Sequence, residues 1–173
     1  MNLDPTIMKN KSTKIGALIL TSLILASNAF AQDFDKFKAL LVYKVSEYVL
    51  WPTDQEYRTI GLYKDASIYR ELTQFADSRT GIKIVHLDKP EDVSKCDIIF
   101  VCEGHKNEIN NFVKNIEDQS ILVISETKDH YTNGADLVFF IEDDKLRFAV
   151  NDTKISGKGM SASRKLTALA QDL

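Results

Sequence analysis

The chain has 173 residues, 44% of them hydrophobic and 27% charged, with 7 Gly, 3 Pro and 2 Cys. That balance excludes collagenous, disordered and disulfide-scaffold classes and leaves one globular domain as the expectation. Twenty-two Lys and Arg against 25 Asp and Glu give a formal charge of −3, with none of the basic stripe that marks a nucleic-acid binder, so no nucleic-acid partner is expected.

Residues 1–31 read as a cleavable export signal. Lys9, Lys11 and Lys14 precede an apolar run from Ile15 to Leu25, and Ala29-Phe30-Ala31 matches the small-x-small pattern of a signal-peptidase site. The run is well short of the roughly 20 residues a spanning helix needs. The expected product is residues 32–173, a mildly acidic domain working in the periplasm without inserting into the membrane.

Apolar periodicity then alternates in type along the chain. Phe37, Leu41, Val45, Tyr48 and Val49 fall on one helical face, predicting a helix over 35–50 that Pro52 stops at Trp51. Strands are predicted at 59–63, 82–87, 96–101 and 121–125, with helices at 67–76 and 106–117 between them. Runs apolar throughout, such as Ile98 to Val101, suit strands covered on both faces. Leu137–Ile141 and Lys145–Val150 read as a half-exposed antiparallel hairpin around Glu142-Asp143-Asp144, and a last helix starts at Ser161 or Ser163 with Leu166, Leu169 and Ala170 inward. The predicted fold class is α/β: a three-layer αβα sandwich with a mostly parallel central sheet and a C-terminal antiparallel hairpin.

Chemistry-bearing patterns are scarce. Gly157-Lys158-Gly159 lacks the rest of a phosphate loop, and His86, His105 and His130 are far apart with no ligand spacing for zinc. No G-x-S-x-G elbow marks a nucleophile. Neither a catalytic residue, a metal nor a cofactor is predicted, and an enzyme is not expected. Cys96 and Cys102 flank an apolar strand, which separates them by about 20 Å at roughly 3.3 Å per residue and prevents a disulfide between them.

Two segments stand out: Tyr48-Val49-Leu50-Trp51-Pro52, which holds the only Trp, and Phe148-Ala149-Val150-Asn151 followed by Gly159-Met160-Ser161-Ala162-Ser163-Arg164-Lys165-Leu166. With Ile121-Leu122-Val123-Ile124-Ser125-Glu126 and a Gly134 before a Phe-rich strand, they resemble the YfiR/HmsC family, also known as DUF4154. That family shows aromatic-x-x-Trp-Pro after its first helix and F-x-I/V-N before its last. The resemblance covers nearly all of residues 36–170.

It implies a periplasmic repressor that holds the sensor region of an inner-membrane diguanylate cyclase inactive and so lowers cyclic di-GMP and biofilm formation. Relatives carry further cysteines, one bonded to the position of Cys96 from the position here occupied by Gly61; this chain cannot form that bond. Apolar groups left over at element ends are the expected contact surface, namely Tyr48, Leu50, Trp51, Met160 and Arg164. Trp51 and Arg164 are of the types that dominate binding hot spots, although a large aromatic at a helix end is also ordinary core. The competing reading is a small periplasmic ligand-binding module resembling one lobe of a solute-binding protein. A homodimer is compatible with either.

Overall fold

The computed structural model describes residues 34–64, 66–116 and 119–173. The segment read as an export signal lies outside the described residues. Helix α1 spans residues 34–48 and buries Ala39, Val42, Tyr43, Val45 and Ser46. Phe37, expected inward, is 60% exposed. The buried stripe is rotated because the small residues Ala39 and Ser46 let the helix approach the sheet closely, and Ser46 satisfies its own hydroxyl on Tyr43 O at 2.6 Å.

After the two-residue strand β1 (Val49–Leu50), the elements follow as β2 (Arg58–Tyr63), α2 (Tyr69–Ser78) and β3 (Ile82–Leu87). A 3-10 turn (Pro90–Lys95) leads to β4 (Ile98–Val101), and another (Glu103–Glu108) runs into α3 (Ile109–Asn115). Then come β5 (Leu122–Ser125), α4 (His130–Asn133), β6 (Leu137–Glu142), β7 (Lys145–Val150), α5 (Asp152–Gly157), β8 (Ser161–Ala162) and α6 (Arg164–Thr167). The single helix expected over 106–117 is thus divided, since residues 106–108 close a 3-10 turn and the α-helix runs over Ile109–Asn115, while residue 117 lies outside the described residues.

Six strands form one sheet in the order β3-β2-β4-β5-β6-β7, parallel except for β7, which returns antiparallel to β6. This is the strand order of a doubly wound sheet with an antiparallel edge added. The hairpin turns on Asp143 and Asp144, both with positive φ (50° and 56°), as a type I′ turn requires; Asp tolerates that region better than most residues.

Side-chain alternation sorts the core into two faces. Ile60, Leu62, Ile98, Phe100, Leu122, Ile124, Leu137 and Phe139 pack against α1, α2, Ile155 of α5 and Leu166 of α6. Ile99, Val101 and Val123 pack against α3 and the first 3-10 turn, and Val138 and Phe140 pack with Ala149 and Tyr131 of α4. The result is the expected three-layer arrangement.

A repeated device starts two of the central strands. In Cys96-Asp97-Ile98-Ile99-Phe100 and Ala135-Asp136-Leu137-Val138-Phe139, each Asp sits one residue ahead of its strand. Each accepts a backbone N–H from the neighbouring strand, Asp97 Oδ2 from Thr59 and Asp136 Oδ2 from Val123, both at 2.7 Å. A cation pairs with each carboxylate, Arg58 with Asp97 and Lys158 with Asp136. A strand's first free donor is thereby satisfied where the ladder has not yet begun.

Candidate partner-binding site

The two segments singled out in the sequence are far apart along the chain, yet they pair. β1 and β8 form a two-stranded antiparallel ribbon with Val49 opposite Ala162 and Leu50 opposite Ser161, and Ser163 N donates to Tyr48 O at 2.9 Å. Strand alternation turns Val49 into the core and Leu50 outward, where it is 65% exposed. Beside the ribbon, α6 starts at Ser163, whose Oγ accepts from Leu166 N, and this puts Arg164 and Lys165 on the surface next to β1.

Tyr48 is half-buried, with Lys44 Nζ 5.6 Å and Lys165 Nζ 5.8 Å from its ring centroid. Lys44 in turn donates to Glu47 at 2.7 Å, and that hydrogen bond holds the Glu47 carboxyl below its usual value. Trp51 is also half-buried. Its Nε1 donates to Ser46 O at 3.3 Å, and its ring lies 4.8 Å from the guanidinium carbon of Arg58. Arg58 is buried and tied to Thr53 O and to Asp97. The indole therefore caps a buried cation, so Trp51 combines a packed face with an accessible edge.

Of the five residues expected to form the contact, Tyr48, Leu50, Trp51 and Arg164 are brought to one ribbon with surface to offer. Met160 is a correction: it is 3% exposed and belongs to the core under β8, because the chain must turn its side chain inward to close the sheet's end. Leu169, expected inward on the last helix, is 70% exposed, since α6 ends at Thr167 and no further helical turn carries it back. The sequence reading missed Arg58 and Asp97, which support Trp51 from behind; the twice-occurring Asp-apolar-apolar-Phe pattern was the signal available for the second. Among the described residues, no group of three or more His, Cys, Asp or Glu could hold a metal ion, and no helix is long and apolar enough to cross a membrane.

A family model described as DUF4154, YfiR/HmsC-like, matches residues 35–171. The chain belongs to the YfiR/HmsC-like family. Membership supports, at the level of the family, a regulatory role in cyclic di-GMP signalling. Among solved structures, the chain is similar to a conserved domain protein of Vibrio cholerae O1 biovar El Tor strain N16961, with a TM-score of 0.58 and 12% identity. The similarity covers 79% of this chain and 59% of that one, so this chain spans well under two thirds of its neighbour, and at that identity the likeness concerns the fold. No curated protein matches the sequence.

The departure from relatives with more cysteines also has a geometry. Cys96 and Cys102 are both buried and free of disulfides. A Cβ added at Gly61 would lie 2.7 Å from Cys96 Sγ and 2.5 Å from Leu87 Cδ1, so the thiol fills the space beside the glycine. Burial pushes the Cys96 thiol up to about 11, which leaves it protonated and a poor nucleophile at neutral pH.

Proposed function

We propose that this protein is exported by its N-terminal segment and represses an inner-membrane diguanylate cyclase by laying the β1–β8 ribbon against the cyclase's periplasmic sensor region. The observation that carries the reading is the ribbon itself. It joins the two segments that mark the family, and it leaves Leu50 exposed in a stretch that also holds the half-buried Tyr48 and Trp51, paired with the strand that leads into the exposed Arg164. An exposed aliphatic in a stretch with aromatics, one of them carrying Lys44 and Lys165 near its ring, has the composition of an interface centre with a polar rim.

Deleting the gene is expected to raise cyclic di-GMP and biofilm, and the wild-type chain supplied in trans restores both to their original level. Leu50→Asp and Arg164→Glu, each at an exposed position, are expected to lose repression at unchanged periplasmic abundance, because hot-spot changes cost about 2 kcal/mol of binding or more. Trp51→Ala removes packing as well as surface and is expected to lower thermal stability alongside repression. Repression that survives both surface changes overturns the assignment of the ribbon, and cyclic di-GMP unaltered by deletion overturns the regulatory reading.

A further inference from the structure

A second feature lies away from the ribbon. Between α3 and α5 opens a cleft of about 620 Å³, lined on one side by Asn110, Val113 and Lys114 and on the other by Asp136, Lys154 and Lys158. Gly134 and Gly157 also line it, and Gly134, at φ +135° and with Val113 Cγ2 2.5 Å from where a Cβ would be, keeps the chain close to α3 without a side chain.

Asp136 is wholly buried. Its Oδ2 is fully engaged, by Val123 N and by Lys158 Nζ, whereas Oδ1 is buried with no hydrogen-bond partner. An orphaned carboxylate oxygen asks for a donor. The neighbouring lysines are partly spent. Lys154 Nζ donates to Tyr131 O at 2.8 Å and Ala135 O at 3.4 Å, and Lys158 Nζ donates to Ile121 O at 2.9 Å as well as to Asp136. An ammonium carries three protons, so each keeps one for something else, and Lys114 adds a third cation to a cleft whose described lining holds one carboxylate. Burial holds Lys154 below the usual lysine value, and an arriving anion relieves that cost.

We infer that this cleft binds a small oxyanion that carries its own O–H, a hydroxycarboxylate or a protonated phosphate, whose charged oxygens take the remaining lysine protons and whose hydroxyl donates to Asp136 Oδ1. A fully deprotonated tetrahedral anion presents only acceptors to Asp136 and is repelled. The site therefore selects by the presence of one proton. The inference does not depend on the cyclase reading, since the cleft shares no residue with the ribbon.

Calorimetric titration of the mature protein with two matched pairs tests it: phosphate against sulfate, and malate against succinate, at neutral pH. Each hydroxyl-bearing member is expected to bind about tenfold more tightly than its partner, the scale of a hydrogen bond to a charged group. A preference in one pair alone identifies which source of the O–H the cleft accepts. Asp136→Asn, whose amide can donate, is expected to abolish or reverse the preference, and Lys114→Ala, at an exposed position that leaves the fold untouched, is expected to weaken the preferred anion severalfold. Equal binding of both members in both pairs, no binding of any of them at millimolar concentration, or an affinity for the preferred anion unchanged by Lys114→Ala overturns the assignment, and the last readout holds even if Asp136→Asn fails to fold.

Discussion

Single residues decide how closely this sheet can be covered. Gly61 sits mid-strand in β2 where its missing side chain is replaced by Leu87 on one edge and Cys96 Sγ on the other. Glycine in a strand otherwise costs stability, so its use here marks a close approach. Gly61→Ala is expected to destabilise by about 1 to 3 kcal/mol, the range for overpacking a filled core, as measured by the shift of the denaturant midpoint. Cys96→Ala in the same chain opens the space and is expected to recover part of that loss. The cysteine spacing was legible in the sequence, but the reason Cys96 is inert, a thiol enclosed between β2 and the first 3-10 turn, depends on neighbours 35 residues away.

Elements with strong periodicity were legible, and short polar ones were not. The strand at 82–87 and the hairpin strand at 145–150 match the expected bounds, because an apolar or alternating run of that length has one way to be buried. The segment Asp152–Gly157 buries only Ile155, so no apolar period announced it. What makes it a helix is local chemistry: Asn151 Oδ1 accepts from Lys154 N at 3.1 Å, while Asn151 N donates to Asp136 O at 2.8 Å and fixes where the turn begins. Asn151→Ala is expected to cost about 1 kcal/mol, the usual loss on removing such a cap. Hydrogen exchange should then quicken first at the amides of α5, and Asn151→Asp should retain most of the stability. Equal exchange throughout α5 would mean that Ile155 packing alone holds the helix.

At the scale of the whole molecule, α4 is tied to the sheet through a buried polar pair. Ser125 Oγ lies 2.7 Å from His130 Nδ1 and accepts from Thr127 N at 3.1 Å, so one hydroxyl links β5, the segment after it and the ring of α4. Burial lowers His130 from its ordinary 6.5. The unfolded chain therefore takes up this proton before the folded one does, so the contribution of His130 is intact above about 6.5 and is lost as pH falls towards the lower folded value. Global unfolding free energy is expected to fall between pH 7.5 and pH 5.5 on this account, and His130→Gln is expected to flatten that part of the profile. An unchanged slope in the variant would assign the acid sensitivity to other groups.

By itself the sequence determined the class of fold, since apolar runs of strand length alternating with amphipathic helices can bury their surfaces in few ways other than layers around a parallel sheet. It also determined that Tyr48 to Trp51 and Met160 to Arg164 were the segments to watch. Only the tertiary structure decided that these two are strands of one ribbon, that Leu50 faces out while Met160 faces in, and that Trp51 rests on Arg58. Pairing across more than a hundred residues leaves no local trace, and the inward or outward sense of a two-residue strand is fixed by its partner rather than by its own period. The same holds for Asp136: a carboxylate ahead of an apolar strand looks like any turn residue until the fold removes water from it and leaves one oxygen without a donor.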